Sequence, residues 1–320
     1  MTRWSRRVVP TSLLAVVCLL VTAANGFTLL TFDVDGTLVK GSGQAAEVSA
    51  HARSFSHAVG TVLGDGSPVA PVAQALHGPE YHGSTDGLIL LRLARATLGI
   101  QASESAPQLE ALFQSMYDYI MTLPDEEVAR GITPLPGVLD TLHTLAREPN
   151  HITCGLVTGN VEGIAVRKMK AVGIYQTGAL APAHPNQRTD GFLGGFGTDF
   201  CSGNIDDLER NHLDRSEQIG IAVSRCKDGL KRVVHVGDAP ADVLAAKAFA
   251  SRNTNPDLCV GCVGVATGSY SAEELRSLAG ERIPGRWEPV VLEDGIADPT
   301  FREACGLPTE VLESLHNHSL

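Results

Sequence analysis

Asp33 and Asp35 stand two residues apart at the end of the apolar run Phe27-Thr28-Leu29-Leu30-Thr31-Phe32, and Gly36, Thr37 and Leu38 follow them. Carboxylates this close raise each other's pKa unless a cation lies between them. Magnesium suits one or two carboxylates completed by substrate phosphate oxygens, so the pair reads as part of a Mg2+ site. Polar groups close two other apolar runs. Thr158-Gly159-Asn160 follows His151-Ile-Thr-Cys-Gly-Leu-Val, and Gly237-Asp238, with Asp242 beyond, follows the run 232–236. A hydroxyl beside the free N–H groups of a helix N-terminus makes a phosphate seat. The plainer alternatives are an N-cap threonine, a capping carboxylate at Asp242 and a solvated Asp/Gly turn at Asp33–Asp35.

These groups need elements to position them. The run 27–32 has no polar alternation, the mark of a strand buried on both faces inside a parallel sheet. Further strands are expected over 151–157, 232–236, 260–266 and 289–292. Helices are expected over 138–145, up to 172, over 214–226, 241–250 and 272–278. This alternation predicts an α/β fold, a doubly wound parallel sheet. Ligands of such sheets bind beyond the carboxyl ends of the strands, where Asp33, Asp35, Thr158 and Asp238 all fall. Residues 41–130 read as helical instead, with segments at 44–63, 86–98 (closing at Gly99) and 109–123. Residues 190–197 read as a turn or hairpin, and 201–213 as a polar, acidic insertion.

Asp33-Val-Asp-Gly-Thr-Leu38 resembles the first motif of the haloacid dehalogenase-like hydrolase superfamily. Thr158-Gly-Asn resembles its second motif, and Gly237-Asp238 with Asp242 its fourth. Gly83-Ser84-Thr85-Asp86 resembles the Gly-x-Thr-Asp segment of phosphoglycolate-phosphatase-like members, although Thr85 or Asp86 also reads as a helix N-cap. The resemblance implies a HAD-like Rossmannoid core formed by 27–40 and 131–320, with 41–130 as an inserted helical cap that excludes water and selects substrate. It implies Asp33 as the nucleophile of an aspartyl-phosphate pathway. Asp35 would protonate the leaving alkoxide and later activate water. Asp33, the main-chain carbonyl of Asp35 and Asp238 would hold Mg2+, with Asp242 behind them, and Gly36, Thr37, Thr158, Gly159 and Asn160 would surround the phosphate. The second aspartate favours phosphate esters over carbon–halogen bonds.

The family's third motif supplies a lysine or arginine. Lys231 begins its strand, and about seven residues at ~3.3 Å each place it ~20 Å from the working end; Lys227 fails similarly. Arg215 stands at an expected helix start, where Asp214 and Glu217 have capping-box spacing. A helix returning along the sheet brings that end to the site, and a guanidinium makes planar, bidentate phosphate contacts. The expected activity is therefore Mg-dependent hydrolysis of a small phosphoglycolate-like monoester. A phosphomutase on the same core and a non-catalytic secreted binding protein are the alternatives.

The bulk properties agree with that reading. A chain of 320 residues, 43% hydrophobic with 33 glycines, suits a globular α/β protein. A net charge of −11 argues against nucleic acid or an anionic membrane as partner, but not against a small phosphate ester. Arg3, Arg6 and Arg7 precede an apolar stretch ending in Ala24-Asn25-Gly26, so residues 1–26 read as a secretory signal peptide. The stretch is too short and too interrupted for an anchor. Secretion is expected, with no membrane anchor after cleavage and a plastid presequence as the alternative. Of seven cysteines, Cys18 lies in the leader. Cys154 reads as a small hydrophobe, and Cys259-Val-Gly-Cys262 as a CxxC without a second pair. His235 is expected in the core, and His51 and His57 on the surface of a cap helix.

Overall fold

The computed structural model describes residues 26–41, 49–183, 191–226 and 228–307. Residues 1–25, on which the expected signal peptide falls, Lys227 and 308–320 lie outside the described residues, as do 42–48 at the start of the first expected cap helix and 184–190 at the start of the expected hairpin. Among the described residues no helix is long and apolar enough to cross a membrane.

In chain order the main elements are β1 (Phe27–Phe32), β2 (Val39–Gly41), α1 (Ala50–Leu63), α2 (Asp86–Leu98), α3 (Leu109–Met121), β3 (Ile132–Pro134), α4 (Val138–Leu145), β4 (Ile152–Val157), α5 (Glu162–Ala171), β5 (Gly194–Gly195), α6 (Asn211–Arg225), β6 (Leu230–Gly237), α7 (Pro240–Arg252), β7 (Cys259–Val265), α8 (Ala272–Ala279) and β8 (Trp287–Leu292). Six strands form a parallel sheet in the order β5-β4-β1-β6-β7-β8. Successive residues of β1 serve opposite faces. Leu30 and Phe32 pack with Val138, Leu142 and Met169 of α4 and α5. Leu29 packs with Ile219, Val243 and Leu275 of α6, α7 and α8. Both faces are thus covered, which is why β1 reads as an unbroken apolar run.

Register sets the site. Phe32 pairs with Leu156 on one side and Val236 on the other. Asp33, Thr158 and Asp238 therefore leave the sheet at nearly one level. The helices α1, α2 and α3 pack on one another through Phe55, Leu90, Leu93, Leu112 and Met116. They are joined to the sheet domain by the antiparallel pair β2–β3. α2 starts on Thr85, whose side chain accepts from Leu88 N, and closes at Gly99 with φ 72°.

Three differences from the sequence expectation have local causes. β2, β3 and β5 are two or three residues long, too short for any period to show. The expected turn or hairpin over 190–197 is cut short: 191–193 lies antiparallel to 181–183, with Ala183 N donating to Gly191 O and Leu193 N to Ala181 O, and the chain then adds β5 in parallel to β4. α6 begins at Asn211 rather than Asp214, so no Asp214–Glu217 capping box forms. Asp214 instead accepts from Ser202 N, and Glu217 pairs with Arg252. Cys259 and Cys262, three apart on β7, point to opposite faces and cannot share a metal. No disulfide forms among the described residues, and burial pushes the Cys154 thiol up to about 12.

Candidate active site

A cavity of about 500 Å³ opens between the carboxyl ends of β1 and β6 and the helical block. Asp33, Asp35, Gly36, Asn160, Arg215 and Asp238 line it; Thr37, Thr158 and Gly159 do not. Carboxylate oxygens of Asp33, Asp238 and Asp242 lie within 4.8 Å of one another. Asp238 also accepts from the Thr37 hydroxyl at 3.1 Å. Gly36 has φ +90°, and a Cβ there would run into the Asp238 carboxylate, so the turn after Asp35 requires glycine on two counts. Its carbonyl accepts from the Thr267 hydroxyl at 2.6 Å.

Arg215, buried on α6, reaches this cluster although α6 starts a turn earlier than expected. Its guanidinium bonds Asp242 and lies 3.4 Å from Asp33 Oδ2. Nε of Arg215 is buried and finds no acceptor among the described residues. Asp242 is the anchor: Oδ1 also meets His235 Nε2 at 3.1 Å, and Oδ2 accepts from Ala239 N at 2.9 Å. It is therefore both the capping carboxylate of α7 and the holder of Arg215, behind Asp33 and Asp238. His235 is a core residue as expected, bonded to Thr31 at 3.0 Å on its other side.

Electrostatics separate the carboxylates. Burial pushes Asp33 up to about 6 despite Arg215, with Asp242 and Asp35 adding repulsion. Burial, then Asp242 and Asp33, raise Asp238 well above its ordinary value. For Asp242, Arg215 and His235 outweigh burial and hold it at about 2. Three buried carboxylates facing one guanidinium leave the cluster short of positive charge, and its donors are all oxygen. Both features fit a hard divalent cation such as Mg2+. Asp33 and Asp238 are the side chains free to hold it. The Asp35 side chain points elsewhere, so only its main-chain carbonyl remains for that role.

The Asp35 carboxylate is clamped by Lys168 of α5, whose Nζ lies 2.7 and 2.9 Å from its two oxygens. Lys168 also donates to Asn160 Oδ1 at 2.8 Å and meets His51 Nδ1 at 2.9 Å. Three ammonium N–H groups thus have three partners. That arrangement assigns Nε2–H to His51, which faces Asp86 Oδ2 at 2.9 Å. Half of the Asp35 side-chain surface opens into the cavity (49%), but the surrounding protein still encloses it. Burial would raise this group; the Lys168 ammonium, with the hydrogen bonds from Lys168 and Asn160, overcomes that and brings it down to about 2.

His51 therefore lines the cavity, contrary to its expected place on the cap surface, because from the first turn of α1 it meets Lys168 of α5 and Asp86 at the start of α2. Lys168 is the functional candidate that the sequence reading missed. A mid-helix lysine reads as solvated, and its only local signal is a position eight residues after Asn160, about two helical turns along. The expected phosphate seat is also partly filled. Thr158 is wholly buried and accepts from Asn160 Nδ2 at 3.1 Å, and it does not cap α5, whose N-cap is Val161. Val161 N donates to Asp86, and Asp86 N to Gly159 O, each at 2.8 Å. A Cβ on Gly159 would meet Ser84 O at 2.6 Å, so glycine there permits the cap segment 84–86 to lie against the sheet edge. His82, Gly83, Ser84 and Asp86 line the cavity, while Thr85 caps α2.

With that geometry in place, comparison with known proteins becomes informative. The family model of haloacid dehalogenase-like hydrolases matches residues 27–250. The chain belongs to the haloacid dehalogenase-like hydrolase family. The match runs from β1 through α7 and so spans both the helical block and every residue of the carboxylate–guanidinium cluster. No curated protein sequence matches significantly. Among solved structures, CbbY from Rhodobacter sphaeroides in complex with phosphate is similar at 16% identity, covering 88% of this chain and all of that one, with TM-score 0.41. A hydrolase from Pseudomonas syringae is similar at 20% identity over 79% of this chain and 90% of that one, with TM-score 0.39. A HAD family hydrolase from Deinococcus radiodurans, with bound phosphate and sodium, is similar at 16% identity over 90% and 100%, with TM-score 0.37.

Proposed function

We propose that this hydrolase is a Mg-dependent phosphomonoesterase working through an aspartyl-phosphate on Asp33. The observation that carries the reading is the convergence of Asp33, Asp238 and Arg215 at the carboxyl end of the central strands. Asp33 and Asp238, with the main-chain carbonyl of Asp35, would hold Mg2+. The ion supplies charge neutralisation at the phosphoryl oxygens. Arg215, fixed by Asp242 and 3.4 Å from Asp33, supplies positive charge beside the same oxygens. Asn160 lines the cavity beside the Asp35–Lys168 pair and helps to position the acid, its Nδ2 donating to Asp35 Oδ2 at 3.0 Å.

Asp33 Oδ attacks phosphorus and the ester P–O bond breaks. Asp35 delivers the proton that the departing alcohol needs, then takes one from the water that cleaves the acyl-phosphate. Lys168 holds Asp35 in place through both steps. Brought down to about 2 by Lys168, Asp35 is ionised at neutral pH, the form needed for the second step. For the first, the ester arrives as its monoanion and brings the proton that Asp35 passes to the departing alkoxide.

A phosphoglycolate-like two-carbon ester fits the polar end of the cavity but leaves much of its volume unfilled. We also propose secretion after removal of 1–26, which detection of the shortened chain in culture medium tests. The enzymatic reading is tested by phosphate release from a panel of monoesters with and without Mg2+. Release only with the ion supports it. Transfer of labelled phosphate to a second position of the substrate, without release, would make the enzyme a mutase. Retained binding without either outcome would mark a non-catalytic protein.

A further inference from the structure

The cavity does not end at the carboxylates. It continues into the hydrophobic core of the cap, where Phe55, Val72, Ile89, Ile120 and Val128 line it together with Ile164 of α5. All six side chains are buried. The cations within the cavity are already paired: Lys168 with Asp35, and Arg215 with Asp242 and Asp33. Lys40 also lines it but is exposed, at the solvent rim. His51 and Asp86 are bonded to each other.

A carboxylate or second phosphate placed among those apolar side chains would lose water without gaining a cation, and a polyol would leave hydroxyls unpaired. Either costs far more than it returns. An apolar group placed there is stabilised in proportion to the area removed from water. A volume of about 500 Å³ also lies within the ~300–1,000 Å³ range of pockets that enclose drug-sized ligands.

We infer that the organic half of the substrate is apolar: the site takes an alkyl or aryl monophosphate longer than two carbons, with its chain directed into the cap. This rests on the phosphomonoesterase reading above and adds the leaving-group class to it.

The test gives the purified full chain, with Mg2+, ethyl, butyl, hexyl and phenyl phosphate, phosphoglycolate and glucose 6-phosphate, and measures phosphate release. The expected result is a kcat/KM that rises about fourfold for each added methylene, with butyl phosphate at least ~10-fold above phosphoglycolate. A flat or falling alkyl series, or a preference for phosphoglycolate or glucose 6-phosphate, overturns the inference and leaves the phosphatase reading intact. No release from any ester overturns both.

Discussion

Lys168 Nζ sits 2.7 Å from Asp35 Oδ2 and 2.9 Å from His51 Nδ1, so one buried ammonium joins the second aspartate of the Asp33-Val-Asp35 pair to a histidine of the cap. Asp86 continues the chain, bonding His51 on one side and Val161 N of the sheet domain on the other. The position of Asp35 is thereby tied to how the cap is seated. This link has consequences for turnover, for stability and for coupling between distant residues.

Lys168→Met removes the clamp while keeping much of the side chain's volume. Loss of one positioned charge of this kind costs ~10²–10³ in turnover. We expect kcat to fall on that scale while Mg2+ binding to the Asp33–Asp238 cluster, read by calorimetry, stays within about threefold. A mutant with wild-type kcat would remove Lys168 from the machinery.

His51→Ala breaks the relay one step further from Asp35 and is expected to lower kcat about 10-fold. Because His51 and Lys168 act in series, the double mutant should be little worse than Lys168→Met alone. Fully multiplicative losses would show that the two residues act independently.

Asp242→Asn leaves Arg215 and His235 buried beside a neutral partner. Removing one member of a buried ion pair costs ~3–5 kcal/mol, so urea unfolding should show a loss of that size. Arg215→Ala is expected to lose ~10²–10³ in turnover. An Asp242→Asn protein as stable as wild type would mean that Arg215 is not held as described.

Stability of the metal-free protein should depend on pH in two opposed ways. Asp33 is raised from 3.8 to about 6 in the fold, so the native state binds the extra proton and stability falls as pH rises from about 4 to 6. Asp35 and Asp242 are lowered from 3.8 to about 2, so their contribution is complete above about 4 and is lost as pH falls toward 2. These groups place the maximum near pH 4. Added Mg2+ should raise Tm most above pH 6, where Asp33 has shed its proton. A melting temperature that Mg2+ leaves unchanged at pH 7 would contradict the metal assignment.

Much of this site was legible in the sequence because its parts lie at strand ends. The unbroken run before Asp33 marks a central strand, and parallel register then forces Thr158 and Asp238 to the same edge. Arg215 is legible because a helix returning along the sheet must bring its start to that edge, even though α6 begins one turn earlier than its capping signals suggest. Lys168 and His51 were not legible, because their roles depend on docking between two helices far apart in the chain. The polar character that makes each useful in the site is also what makes it read as a surface residue. The plugging of the phosphate seat by Asp86 was hidden for the same reason, since the carboxylate comes from the cap.

The central claim is that Asp33 becomes covalently phosphorylated. The direct measurement is rapid acid quench of the enzyme turning over a 32P-labelled monoester with Mg2+, followed by peptide mapping. The account predicts acid-stable, base-labile label on the peptide containing Asp33, and neither label nor turnover in Asp33→Asn. Label on another residue, or undiminished hydrolysis by Asp33→Asn, would contradict it.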